Sequence, residues 1–321
     1  MVRLFLIVLA WPLAIVIVLT VYGWVRDEFP EPPREAVFSD PVQFPESHRT
    51  AQEALARFAR LAPVEQDDLR AALEARLLTV DAWLQRLDRA QYRVLCLGEF
   101  HTPATRRFLA TRFFPHYRTD VLLLETTPEA LAGIERRVRD GRAYVPLLDA
   151  DIGGVLRAAR TGNAAVTVRG IEETRTQLRA RETRAAPEAT RDRTLAHNFW
   201  EQFRPGARHV ILYGALHCSD QPHWLYRYLR EQSPPRDAIR MLDVHVLGEH
   251  QHGPLEAFTW FLDQLDLHHP GDFVIPDTRA LPPEIHEWFG LLDQHVLTPF
   301  AALVVFRQPV ARPDRNVTDA R

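Results

Sequence analysis

The chain contains no lysine: all 39 basic residues among its 321 are arginine, which reads as coding bias more than functional choice. Cysteine is nearly as scarce. Cys96 and Cys218 are the two present, too few for a disulfide framework and enough for one bond at most. Acidic and basic residues almost balance, and a formal net charge of −3 gives no electrostatic case for a nucleic-acid partner, which calls for a basic face. Gly-x-Ser-x-Gly, a phosphate-cradling glycine loop and Cys-x-x-Cys are all missing. What remains is an ordinary globular composition, 46% hydrophobic and 25% charged, in a chain long enough to bury a sizeable core.

The longest apolar run stands at the amino end. Residues 4–25 carry no charge and are bounded by Arg3 and by Arg26-Asp27-Glu28. That is enough to cross a bilayer as a helix, with Tyr22 and Trp24 where an interfacial belt would lie. A cleaved signal peptide has a shorter apolar core and a small-x-small site, and neither is found here. The expectation is a signal anchor over residues 1–26 in a bacterial inner membrane. A short amino tail that stays cytoplasmic puts the rest of the chain on the extracytoplasmic side. Residues 27–49, with Pro30, Pro32, Pro33, Pro41 and Pro45, read as an extended tether.

Residues 50–90 show apolar side chains at helical spacing, divided by Pro63, and form a helical preface. From Arg93 the pattern changes. Apolar runs at 94–97, 120–125, 164–171, 209–214, 239–247 and 302–306 read as strands. Helical segments at 103–114, 128–140, 147–160, 188–203 and 222–232 alternate with them. Continuous apolar strands in repeated βα units predict α/β, a largely parallel central sheet covered by helices on both faces. That domain spans 91–310, with a polar tail over 311–321.

Three of these strands end alike. The first gives Gly98-Glu99-Phe100-His101, the second Glu125, the fourth Gly214-Ala215-Leu216-His217. Strand ends of a parallel sheet share one edge, where α/β proteins bind ligands, so Glu99, His101, Glu125 and His217 converge there. Two imidazoles and two carboxylates suit either of two tasks. They can bind a divalent metal that activates water, with Glu99, His101 and His217 as ligands, or act as general acid and base without one. Arg191 and Asp192 open the helix at 188–203. An arginine in a carboxylate cleft holds Glu99 or Glu125 ionised or binds an anionic group, and Asp192 can orient a histidine. Tyr213 reads as core packing. A Cys96–Cys218 disulfide is not favoured, because strand alternation aims the two differently. The histidines at 245, 250, 252, 268 and 269 read as a surface cluster.

Gly98-Glu99-Phe100-His101, Glu125, Arg191-Asp192 and Gly214-Ala-Leu-His217 resemble, in order and approximate spacing, the pattern of the Tiki/TraB superfamily. That superfamily includes the ChaN-like haem-uptake proteins and the erythromycin esterases. The likeness covers roughly residues 93–229 and is nearest to the ChaN-like branch. It implies an α/β domain with these residues gathered in one cleft. It also implies either an esterase- or peptidase-like hydrolase acting on a small-molecule or peptide substrate, or a non-catalytic haem- or iron-binding protein of the envelope. An analogy at this level fixes a site and not a reaction.

Overall fold

A computed structural model describes residues 45–140, 152–183, 190–233, 239–248, 253–265, 267, 271–290 and 300–307. The expected anchor and residues 27–44 of the expected tether lie outside these residues, as do the histidines at 250, 252, 268 and 269; the last part of the tether, Pro45 to Arg49, is not extended but opens a helix. Among the described residues no helix is long and apolar enough to cross a membrane.

Among the described residues eight strands form one sheet in the order β1-β7-β8-β6-β2-β5-β3-β4. They are β1 (Leu78–Thr79), β2 (Val94–Glu99), β3 (Val121–Leu124), β4 (Thr167–Gly170), β5 (His209–Gly214), β6 (Met241–Gly248), β7 (Phe273–Ile275) and β8 (Ala302–Phe306). The run from β8 to β4 is parallel throughout, while β7 pairs antiparallel with β8 and β1 antiparallel with β7. The sheet is therefore mixed at one edge only. Neither β1 nor β7 was expected, since two or three residues are too few to show an alternation.

Register sorts the apolar side chains onto two faces. Leu95, Val210 and Leu122 lie abreast, as do Leu97, Leu212 and Leu124, and all six belong to one core with α3 (Val80–Ala90) and α4 (Pro103–Phe108). Cys96, Ile211 and Leu123 face the other way, against α8 (Arg191–Gln202) and α9 (Leu225–Glu231). Burial on both faces is why these strands read as unbroken apolar runs. A third core joins the β7–β8 edge to α1 (Pro45–Phe58), α2 (Pro63–Glu74), α10 (Gly253–Gln264) and α11 (Pro283–Phe289). The helical segment before residue 90 thus packs on the sheet. The remaining helices are α5 (Pro128–Arg139), α6 (Ile152–Gly162) and α7 (Arg175–Thr183).

Several expected boundaries moved, two of them in helices that carry residues of the site. The helix expected to reach 114 is α-helical only to Phe108 and continues as a π-turn, Leu109–Phe113. The helix expected from 188 has Thr190 as its cap, the side chain accepting from Arg193 N–H, so Arg191 and Asp192 stand in its first turn.

Candidate active site

In the sheet β5 lies between β2 and β3, so the ends of β2 and β3 flank the end of β5. This order, which differs from chain order, brings Glu99 and His101 to one side of Gly214 and Glu125 to the other. A Cβ on residue 214 would lie 3.1 Å from His101 Nε2, 3.5 Å from Glu125 Oε2 and 3.5 Å from His217 Cδ2. Glycine here makes room for the cluster. At Gly98 a Cβ would meet the Ala215 backbone at 3.0 Å and Cys218 Cβ at 3.2 Å. The 3-10 turn Ala215–Cys218 that carries His217 is thereby pressed against β2.

From these positions a continuous network runs across the sheet edge. Glu99 is fully buried, and its Oε1 accepts from Arg106 Nη2 at 2.5 Å and from His101 Nδ1 at 3.0 Å. Its Oε2 accepts the His101 backbone N–H at 2.9 Å. These bonds hold His101 in the left-handed region, φ +55°, a conformation that costs a residue with a Cβ about 1–2 kcal/mol. His101 Nε2 lies 3.3 Å from Glu125 Oε2, which also accepts the Gly214 N–H at 2.9 Å. Glu125 Oε1 accepts from Arg191 Nη2 at 2.9 Å. Arg191 makes two further bonds to Glu172, one from Nε at 2.9 Å and a very short one from Nη2. Its Nη1 lies 3.1 Å from His217 Nε2. His217 Nδ1 lies 2.6 Å from Asp192 Oδ2, which also accepts the Leu225 N–H at 2.8 Å.

The six residues singled out in the sequence are all in this network. Two others belong to it and were not foreseen. Glu172, just past the end of β4, ends an apolar strand in a carboxylate as Glu125 does, and that rule applied to the fourth strand of the sheet would have found it. Arg106 carries no such signal, being one arginine of many.

The two imidazoles are held in different ways. His101 sits between Glu125 and Glu99, whose hydrogen bonds raise its pKa to about 9, against burial and the nearby Arg106. It is an imidazolium at neutral pH. Burial opposes ionisation of Glu125, but hydrogen bonds from His101, the Gly214 N–H and Arg191 outweigh it and hold the carboxyl well below its usual range. At His217 the hydrogen bonds assign the tautomer. Asp192 is an acceptor and so takes Nδ1–H, and the Arg191 guanidinium is a donor and so meets a bare Nε2.

These commitments bear on the expected cofactors. Among the described residues no group of three or more His, Cys, Asp and Glu side chains is arranged to hold a metal ion. Of the expected ligands, Glu99 has both oxygens occupied by Arg106 and His101, and both nitrogens of His101 face carboxylates. His217 is bonded to Asp192 and Arg191. Guanidinium groups stand where a divalent cation would balance the carboxylates. Each of the three expected ligands is thus already engaged by neighbouring side chains. Both cysteines are joined to each other, correcting the expectation that they are not. Alternation does not govern Cys218, because it lies in the turn folded back over β2 and not in a strand.

Two expected outcomes follow from the geometry. Gly214→Ala should fold, but by pushing His101 and Glu125 apart by tenths of an ångström it should weaken their hydrogen bond and lower the pKa of His101, read by imidazole NMR. An unchanged His101 titration in the variant would show that the close approach is not needed. The second concerns pH. A folded pKa of about 9 lies above the ordinary 6.5, so the stability His101 contributes is complete below about pH 6.5 and is lost as pH rises through 9. The thermal midpoint should therefore fall between pH 6.5 and 9.5, and fall less in His101→Gln; equal slopes would contradict the assignment.

A pocket of about 240 Å³, lined by Arg106, Leu124, Glu125, Thr126, Ile134, Ile152 and Leu212, opens beside the network.

No protein-family model matches the chain, and no curated protein sequence does. Among solved structures the chain is similar to a Bacillus cereus protein, with 12% identity, TM-score 0.43, and coverage of 75% of this chain and 97% of that one. It is also similar to the C-terminal region of Pasteurella multocida toxin, described as having a thiol-protease-like catalytic triad (12% identity, TM-score 0.32, 58% of this chain and 29% of that one). A third is RRSP, a MARTX toxin effector domain from Vibrio vulnificus (18% identity, TM-score 0.29, 54% and 37%). At these values the likeness assigns no function.

Proposed function

We propose that the chain is a membrane-anchored hydrolase of carboxylic ester or amide bonds that works by acid–base catalysis between its two histidines. The observation that carries this reading is the His217–Asp192 pair, 2.6 Å apart, with Nε2 left as an acceptor in a cleft that also holds a protonated His101. One imidazole held doubly protonated between carboxylates and another that presents a bare nitrogen suit the roles of acid and base. His217 Nε2 takes a proton from water as its oxygen attacks the carbonyl carbon. Asp192 stabilises the imidazolium so formed. Arg191 Nη1 leaves Nε2 for the developing oxyanion, and a proton passes from the cleft to the leaving group as the carbon–heteroatom bond breaks. Such a general base accounts for about 10²–10⁴ in rate.

The anchor and the extracytoplasmic location belong to the same proposal. The apolar run at 4–25 supports the first. The Cys96–Cys218 disulfide supports the second, since such bonds persist in oxidising compartments. The test is release of p-nitrophenol from p-nitrophenyl acetate, or of amine from the matching anilide, by the full chain. Turnover should survive in Arg160→Ala, which breaks a surface pair with Glu135, and fall about 10²–10⁴-fold in His217→Ala. Undiminished turnover in His217→Ala, or no turnover on either substrate, would overturn it.

A further inference from the structure

Tyr213 precedes Gly214 on β5, in register with Gly98, on the face of the sheet covered by α8 and α9. It is completely buried, and its ring meets that of His217 edge-on, centroids 5.6 Å apart at 78°. Packing alone asks for phenylalanine here. Yet the hydroxyl is present, and among the described residues it has no protein hydrogen-bond partner. Such a group gives up its bonds to water on folding and recovers none from the protein, so the position carries a cost that phenylalanine would avoid. The surroundings are not apolar, either. Glu172, Glu125, Arg191 and Asp192 all act on this phenol electrostatically, and burial keeps it protonated well above its ordinary range.

The phenol is a donor and the carboxylates are acceptors, but none of them touches it. A water molecule joins such groups across a gap, accepting from one and donating to the other. Of the carboxylates, Glu125 and Glu172 have both oxygens engaged by Arg191, His101 and the Gly214 N–H. Asp192 accepts from His217 and from Leu225 on Oδ2, which leaves Oδ1 to receive a further donor. We propose that Tyr213 is a positioning residue whose O–H is tied through one buried water to Asp192 Oδ1, and that this tie keeps the Asp192–His217 pair oriented. The role deepens the acid–base reading above and rests on it for its effect on rate, but its structural part does not need a substrate.

The experiment compares the full chain with Tyr213→Phe by imidazole ¹⁵N NMR and kinetics. The variant should fold with an unchanged or higher thermal midpoint. Its His217 Nδ1–H should exchange with solvent about tenfold faster, and turnover on p-nitrophenyl acetate should fall about tenfold at unchanged KM. His217 signals identical to the unsubstituted chain's would overturn the proposal, and the hydroxyl would then be an idle group. Should the variant fail to fold, a water-to-Tyr213 cross-relaxation peak in the unsubstituted chain decides: its presence supports the tie and its absence overturns it. Absence of ester turnover in the unsubstituted chain strikes the hydrolase reading and leaves the NMR comparison intact.

Discussion

His217→Ala should lower turnover about 10²–10⁴-fold, the share of rate that a positioned general base supplies. The loss should come without unfolding. His217 contributes one ring at the sheet edge, while Asp192 keeps the Leu225 N–H and Arg191 keeps Glu125 and Glu172. Circular dichroism of the variant should match that of the unsubstituted chain. Asp192→Asn separates charge from geometry in the same pair. An amide oxygen can accept from both Nδ1–H and the Leu225 N–H, so the tautomer survives while the counter-charge to the imidazolium is lost. A hydrogen bond to a charged group is worth about 1–1.5 kcal/mol more than one to a neutral group, so the expected loss is about tenfold. A loss in Asp192→Asn as large as in His217→Ala would mean that Asp192 does more than orient and neutralise.

The largest expected effect on stability is at the disulfide. Cys96 and Cys218 are both fully buried and 122 residues apart in sequence. On the chain-entropy account a loop of this length contributes about 5 kcal/mol at 25 °C, comparable to the whole stability of a modest domain. The bond also has a place in the site: Cys96 lies on the strand that delivers Glu99 and His101, and Cys218 follows His217 directly. In the Cys96→Ala/Cys218→Ala protein the urea midpoint should fall steeply. Activity should also be lost at lower urea than the far-ultraviolet signal, because the turn bearing His217 comes free of β2 before the sheet opens. Coincident transitions and an unshifted midpoint would show that packing alone holds the turn.

The parts of this architecture that were legible in the sequence are those encoded by runs of like residues. Val94–Glu99 and His209–Gly214 are apolar on both faces, and their ends announced Glu99, His101 and His217. The parts that were hidden depend on where the chain turns back. Cys218 was misjudged because alternation was applied to a residue in a 3-10 turn, and Gly98, which allows that turn to lie on β2, looks like any glycine until Ala215 is placed above it. The engagement of the expected metal ligands was hidden for a related reason. Residue types suggested ligands, but the arginines that occupy the carboxylates come from Arg106 on α4 and Arg191 on α8, and only the folded edge brings them there. Strands β1 and β7 were missed because their pairing, not their composition, makes them strands.

The central claim is that carboxylates hold the two histidines in complementary states, and imidazole ¹⁵N NMR of the full chain tests it without a substrate. At pH 7 His101 should carry protons on both nitrogens and lose one with a midpoint near 9, while His217 carries its proton on Nδ1 and leaves Nε2 bare. A His101 that is neutral at pH 7, or a His217 protonated on Nε2 and bare at Nδ1, would contradict the account.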